Sequence, residues 1–198
     1  MAPALLLLHG TSGDESSLLS LGRAIAPGAA LLSPRGKVEE HGMARFFRRL
    51  GEAFDEEDLQ FRTAELAGFV RDASAAYRLR ADRLVAVGFS NGGNIAASLV
   101  LRCPATLAGA IIMRGGGPFV LAKPMNLERK PVLMLSGLDD PIVGTDEAGE
   151  LANIFRAANV ELTLHWEKAG HILVRGDILM AFDWLRRFYE TRQSPRPQ

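Results

Sequence analysis

Leu84-Val85-Ala86-Val87-Gly88-Phe89-Ser90-Asn91-Gly92-Gly93 is the stretch that decides how this chain is read. A short apolar β-type run leads straight into Gly88-Phe89-Ser90-Asn91-Gly92. The helix-compatible run Asn94-Ile95-Ala96-Ala97-Ser98-Leu99-Val100-Leu101 leaves on the other side. Strand, sharp turn and helix built on G-x-S-x-G form the context of a nucleophile elbow. Glycines two before and two after the serine remove Cβ atoms that would clash in so tight a turn. The Ser90 Oγ is then presented at the tip of a strand, where the backbone N–H of Asn91 can face an oxyanion. A glycine-rich turn with an incidental serine would carry the same five residues, so the decision passes to the rest of the chain.

Working outward, apolar runs of strand length recur at residues 5–8, 29–32, 84–87, 110–113, 132–135 and 162–166. Helical spacing lies between most of them. Leu66, Val70, Ala73 and Tyr77 share one helical face, as do Ala148, Leu151, Phe155 and Ala158 behind Thr145-Asp146-Glu147, an N-cap with an acidic first turn. Ile178, Phe182, Leu185 and Tyr189 repeat the pattern after Asp177. Alternating β and α segments with nearly continuous apolar strands predict an α/β fold of three layers, with a mostly parallel sheet of about six strands. Residues 33–58 break the pattern: long, charged, and without strand periodicity. A loop of this length in a compact domain is usually functional or disordered. Its Phe46 and Phe47 either line a pocket or pin the loop to the body.

With 198 residues, one domain is expected over residues 1–193, followed by a frayed tail at 194–198. The 23 basic and 23 acidic side chains cancel, which gives no support to a nucleic-acid partner. The arginines at 45, 48, 49, 186 and 187 read as solvated helix surface. One cysteine, Cys103, excludes an internal disulfide and a cysteine metal cluster, and reads as a buried helix-end thiol. No stretch approaches the ~20 apolar residues that span a bilayer, and the first residues lack the basic start of a signal peptide. The expectation is a cytoplasmic protein without metal or cofactor.

Open α/β sheets place their chemistry at the carboxyl ends of the strands, and a nucleophilic serine needs a base held by an acid. In the hydrolase arrangement these follow in the order serine, acid, histidine. Of four histidines, His9 and His41 precede the serine. His165 lies inside a strand-like run, whereas His171 follows that run on a loop, which selects His171 as the base. The acid comes from Gly137-Leu138-Asp139-Asp140-Pro141. Pro141 rigidly fixes the backbone beside Asp140, which favours that carboxylate, while Asp139 can hold the turn through its own backbone. A second oxyanion donor is expected at the N–H of Thr11, with Gly10 allowing close approach of a substrate. His9 reads as a shaper of that loop.

Leu8-His9-Gly10-Thr11-Ser12-Gly13-Asp14-Glu15, Ser33-Pro34-Arg35-Gly36, the elbow, Gly137-Leu138-Asp139-Asp140-Pro141 and Gly170-His171 occur in that order. The ordered set resembles the phospholipase/carboxylesterase family of small α/β hydrolases, which includes acyl-protein thioesterases. It is most similar to the bacterial carboxylesterase and dienelactone-hydrolase-like branch. The resemblance implies Ser90, Asp140 and His171 as a triad, with oxyanion donors at Thr11 and Asn91. It also implies a body without a separate lid domain, metal-free hydrolysis and frequently a homodimer. The chain starts at what would be the third strand of the full hydrolase sheet, which accounts for six strands rather than eight. Met113-Arg114-Gly115-Gly116-Gly117-Pro118 is unusually glycine-rich for a loop bordering the pocket. Dienelactone hydrolases proper use a cysteine nucleophile, so the serine here argues against that activity. The expected substrate is a small carboxylic ester. The alternatives are a thioester or lysophospholipid, for which Phe46, Phe47 and Phe119 are the visible acyl-groove candidates, and a non-catalytic binding module.

Overall fold

The computed structural model describes residues 3–51, 53–117, 119 and 126–191. Each of the six apolar runs is a strand of one sheet: β1 (Ala4–Leu8), β2 (Ala30–Leu32), β7 (Leu84–Phe89), β8 (Gly109–Met113), β9 (Pro131–Gly137) and β10 (Glu161–Glu167). Their order across the sheet is β10-β9-β8-β7-β1-β2, and all of the pairings are parallel. Parallel strands need crossovers, and helices run in those that leave β1, β2, β7 and β9. They are α1 (Leu19–Ile25), α2 (Glu56–Tyr77), α3 (Asn91–Arg102) and α4 (Thr145–Ala157), and α5 (Arg175–Thr191) follows the last strand.

Because side chains alternate along a strand, one apolar run supplies two cores. Leu6, Leu8, Ala86, Ile112 and Met134 face α2, α3 and α4, packing against Leu66, Leu99 and Phe155. Leu5, Leu7, Val87, Ile111, Leu133 and Leu135 face α1 and α5, packing against Ile25, Trp184 and Leu185. The three expected layers are present. Helix α3 is buried along almost its whole length, which explains its lack of a polar face.

Residues 33–58 depart from the expectation of an unstructured loop. They form two antiparallel hairpins, β3 (Val38–Glu40) with β4 (Met43–Arg45), and β5 (Arg49–Leu50) with β6 (Ala53–Phe54). Their strands are too short to show periodicity. The acidic group at the end of that segment is a helix start: the Asp55 side chain accepts the Asp58 N–H at 3.0 Å and caps α2. Carboxylates suit that position, since four unpaired N–H groups and the positive end of the helix dipole lie there. Tyr77, expected on the buried face of α2, is the last residue of that helix and is 71% exposed. Phe182 on α5 is likewise 37% exposed. Gly144, one residue earlier than expected, precedes α4, and its N–H donates to the Glu147 carboxylate at 3.0 Å. Cys103 closes α3 but is only partly buried, and that burial pushes its thiol pKa up. The tail at 194–198 lies outside the described residues. No helix among those described is long and apolar enough to cross a membrane.

Candidate active site

Ser90 sits between β7 and α3 with φ 53° and ψ −118°. A non-glycine residue held there costs of order 1–3 kcal/mol and persists only where the surroundings fix it. The glycines show why nothing larger is accepted. A Cβ on Gly88 would lie 2.2 Å from the Gly92 carbonyl oxygen, and one on Gly92 would lie 2.0 Å from that of Leu8. Main-chain bonds hold the turn from both sides, Ser90 N–H to Met113 O at 2.9 Å and Asn94 N–H to Ser90 O at 3.0 Å.

The loops after β9 and β10 bring two further side chains to this point. His171 Nε2 lies 3.0 Å from Ser90 Oγ, and His171 Nδ1 lies 2.8 Å from Asp140 Oδ2. A carboxylate only accepts, so Nδ1 carries the proton and Nε2 presents its lone pair to the serine hydroxyl. The other oxygen, Asp140 Oδ1, accepts the N–H groups of Ile142 at 2.8 Å and Val143 at 3.0 Å. Burial pushes the Asp140 carboxyl pKa up, but those two N–H groups and His171 outweigh it, leaving the pKa below its ordinary value. Of the two neighbouring carboxylates it is Asp140 that meets His171, whereas the Asp139 side chain is exposed and its backbone N–H donates to Ala169 O at 3.1 Å. His165 faces Glu167 at 3.5 Å instead. His9 is spoken for: its Nε2 accepts the Gly36 N–H at 2.9 Å and its Nδ1 donates to Gly10 O at 2.7 Å. It shapes the loop after β1.

A cavity of about 240 Å³ opens beside these residues, bordered by Thr11, Ser90, Asn91 and His171. Among the described residues, neither the Thr11 nor the Asn91 backbone N–H has a hydrogen-bond acceptor. The Asn91 side chain accepts the Phe46 N–H at 2.8 Å through Oδ1, tying the hairpin segment to the elbow.

The expected pocket wall needs correction. Phe46, Phe47, Met113 and Phe119 are all buried and do not border the cavity. Phe46 packs on the His9 ring, and Met113 points into the core on the α1/α5 side. Phe47 and Phe119 stand edge-on behind Phe54, at 5.2 and 5.7 Å between ring centroids. Phe54 is the ring that reaches the cavity. Gly10 stays beneath, where a Cβ would lie 2.9 Å from Phe89. The remaining wall comes from Arg45, Arg49, Phe89, Asn94, Ile142, Val143 and Glu147. Arg45 and Arg49 were expected as solvated helix surface. They lie instead on the two hairpins, with the Arg45 side chain 13% exposed and paired with Glu40 at 3.1 Å. Short polar strands gave no sequence signal for this. No group of three or more His, Cys, Asp or Glu side chains that could hold a metal occurs among the described residues.

The chain matches the model of the dienelactone hydrolase family over residues 38–176. It is 42% identical over 183 residues to MhqD of Bacillus subtilis (strain 168), covering 92% of each chain. Its fold superposes on the Bacillus cereus carboxylesterase with a TM-score of 0.90 and 44% identity, over 94% of this chain and 89% of that one. It also matches YahD, solved with malic acid, with a TM-score of 0.89 and 30% identity over 94% of both chains. A parallel sheet with its polar cluster at the strand ends, and these likenesses across nearly the whole chain, agree: it is a hydrolase fold, and the chain belongs to the dienelactone hydrolase family.

Proposed function

We propose that the protein is a serine carboxylesterase that cleaves small esters through an acyl-enzyme. The observation that carries this reading is the unbroken line Asp140–His171–Ser90, at 2.8 and 3.0 Å, opening on a cavity. His171 Nε2 takes the Ser90 proton as Oγ attacks the ester carbonyl, and Asp140 stabilises the imidazolium that forms. The Thr11 and Asn91 N–H groups receive the developing oxyanion; the loss of such a donor typically costs about 10²–10³ in rate. His171 then protonates the leaving alcohol, and water activated by the same nitrogen releases the acid.

The size of the cavity supports a short acyl chain. Its ~240 Å³ is below the roughly 300–1,000 Å³ of sites that enclose drug-sized ligands. A thioesterase or lysophospholipase would use the same line of residues but needs an apolar groove, and Phe46, Phe47 and Phe119 are spent on packing. The wall also carries two guanidinium groups. Arg45 and Arg49 border the cavity, which favours an ester bearing a carboxylate. The presence of malic acid on YahD, a 30% identical relative, is consistent with that preference.

The test is a panel of p-nitrophenyl esters from acetyl to palmitoyl, with monomethyl succinate against methyl butyrate, run on wild type and Ser90→Ala. Turnover should peak at short chains and vanish in Ser90→Ala. Undiminished turnover in that variant would refute the serine mechanism, and an optimum at long chains would favour the lipid reading.

A further inference from the structure

Arg114 follows β8 directly, in the glycine-rich segment that borders the elbow. Its side chain and that of Asp177 are both fully buried, and they pair through two hydrogen bonds, Nη1 to Oδ1 at 2.9 Å and Nη2 to Oδ2 at 2.7 Å. Burying such a pair is a poor route to stability, because an apolar pair of similar size often serves as well or better. The remaining contacts say what the pair is for. Nε donates to Gly170 O at 2.9 Å, Nη2 reaches Ile172 O at 3.5 Å, and Nη1 also donates to Leu135 O at 3.0 Å. All five guanidinium N–H groups are engaged.

Gly170 and Ile172 are the residues on either side of His171. Among the described residues, the main-chain groups of residues 170–172 make no other hydrogen bond. Leu135 belongs to the strand that leads to Asp140, and the carbonyl of Met113, immediately before Arg114, accepts the Ser90 N–H. Asp177 meanwhile accepts the Val174 N–H at 2.8 Å, fixing the far end of the same loop to the first turn of α5. Arg114 itself has φ 52°, a conformation that turns the chain back so that its side chain runs beneath the histidine loop.

We propose that Arg114 is the positioning residue of this site. Its guanidinium fixes the backbone on both sides of His171, and so sets the alignment of Nε2 with Ser90 Oγ. The inference rests on the serine-hydrolase reading above, and its test separates the two. Four proteins are compared: wild type, Ser90→Ala, Arg114→Lys, and the double variant Arg114→Met/Asp177→Asn, which leaves no uncompensated buried charge. In both Arg114 variants kcat should fall while KM stays within about twofold, by about 10²-fold in the double variant, since a displacement near 1 Å costs that much. Labelling of Ser90 by a fluorophosphonate should slow in parallel. The far-downfield proton signal of the His171–Asp140 hydrogen bond should broaden or shift, which a merely structural role would not produce in a protein with an intact cooperative melt. Wild-type kcat in Arg114→Lys, or in a folded double variant, overturns the assignment; should the double variant fail to fold, Arg114→Lys decides. An inactive Ser90→Ala beside fully active Arg114 variants would defeat the positioning role alone, and an active Ser90→Ala would defeat the reading it rests on.

Discussion

Exchanging Asp140 for asparagine replaces one carboxylate oxygen by an NH₂ group and tests the proposed chemistry through that atom. Oδ1 accepts two main-chain N–H groups, from Ile142 at 2.8 Å and Val143 at 3.0 Å, so the amide oxygen must stay there. The NH₂ then takes the place of Oδ2, which lies 2.8 Å from His171 Nδ1. A donor facing Nδ1 forces the imidazole proton onto Nε2, the nitrogen that lies 3.0 Å from Ser90 Oγ. In that tautomer Nε2 cannot accept the serine proton. Holding the wrong tautomer in an otherwise intact triad costs about 10⁴-fold in kcat. At 1.36 kcal/mol per tenfold, that is about 5 kcal/mol of lost transition-state stabilisation. Steady-state hydrolysis of p-nitrophenyl acetate, normalised by active-site titration, measures it. Asp139→Asn is the control: its side chain is exposed, and its backbone N–H bond to Ala169 is kept, so kcat should stay within about twofold. An Asp140→Asn variant within tenfold of wild type, or a collapse in Asp139→Asn instead, would refute the reasoning.

Three shorter expectations follow from the same geometry. The Asp140 carboxyl pKa lies below its ordinary value in the folded chain, so its stabilising effect is full above the unfolded-state pKa and is lost as pH falls through the folded one. The Tm gap between wild type and Asp140→Asn should therefore be flat near neutrality and narrow below about pH 4; a gap widening on acidification would contradict this. Gly92→Ala places a Cβ 2.0 Å from the Leu8 carbonyl oxygen, backbone against backbone, and should destabilise by about 3 kcal/mol. Calorimetry should show a Tm drop of roughly 6–12 °C, and an unchanged Tm would mean the elbow is looser than drawn. His165→Ala should retain esterase activity, since its ring faces Glu167 rather than Ser90; inactivity in a folded protein would reopen the choice of base.

The sheet was legible because its four inner strands, buried on both faces, are continuous apolar runs, and the two edge strands, β2 and β10, keep enough apolar side chains to stand clear of their surroundings. The loops carrying Ser90, Asp140 and His171 were legible for a related reason: each leaves a recognisable strand end through Gly or Pro. Residues 33–58 were not legible, because most of what shapes them is distant in sequence. Gly36 N–H donates to His9 at 2.9 Å, Ser12 N–H to Ala44 O at 3.0 Å, Phe46 N–H to Asn91 at 2.8 Å and Arg48 N–H to Asp58 at 2.8 Å. No local pattern announces such bonds. Charge clustering misled for Arg45, whose burial beside the cavity depends on Glu40 across its own hairpin.

That division follows the division of labour within the molecule. Ser90, Asp140 and His171 sit in the loops at the ends of strands, where periodicity and turn chemistry constrain the residues, so the proposed class of reaction rests on spacing. Much of the cavity wall comes from Arg45, Arg49 and Phe54, on hairpins whose strands are two or three residues long. Such strands have no stability of their own and take their place from the body they pack on. Their side chains can change with little effect on the sheet, while any change in them reshapes the space a substrate meets. Phe54 shows the arrangement in miniature: its ring faces the cavity, Phe47 and Phe119 brace it from behind, and a Cβ on Gly117 would lie 2.9 Å from it. On the proposed reading, substrate choice then resides in the part of the chain with the weakest sequence pattern, and the hairpins, rather than Ser90, Asp140 and His171, are where variants altering specificity without loss of fold should be sought.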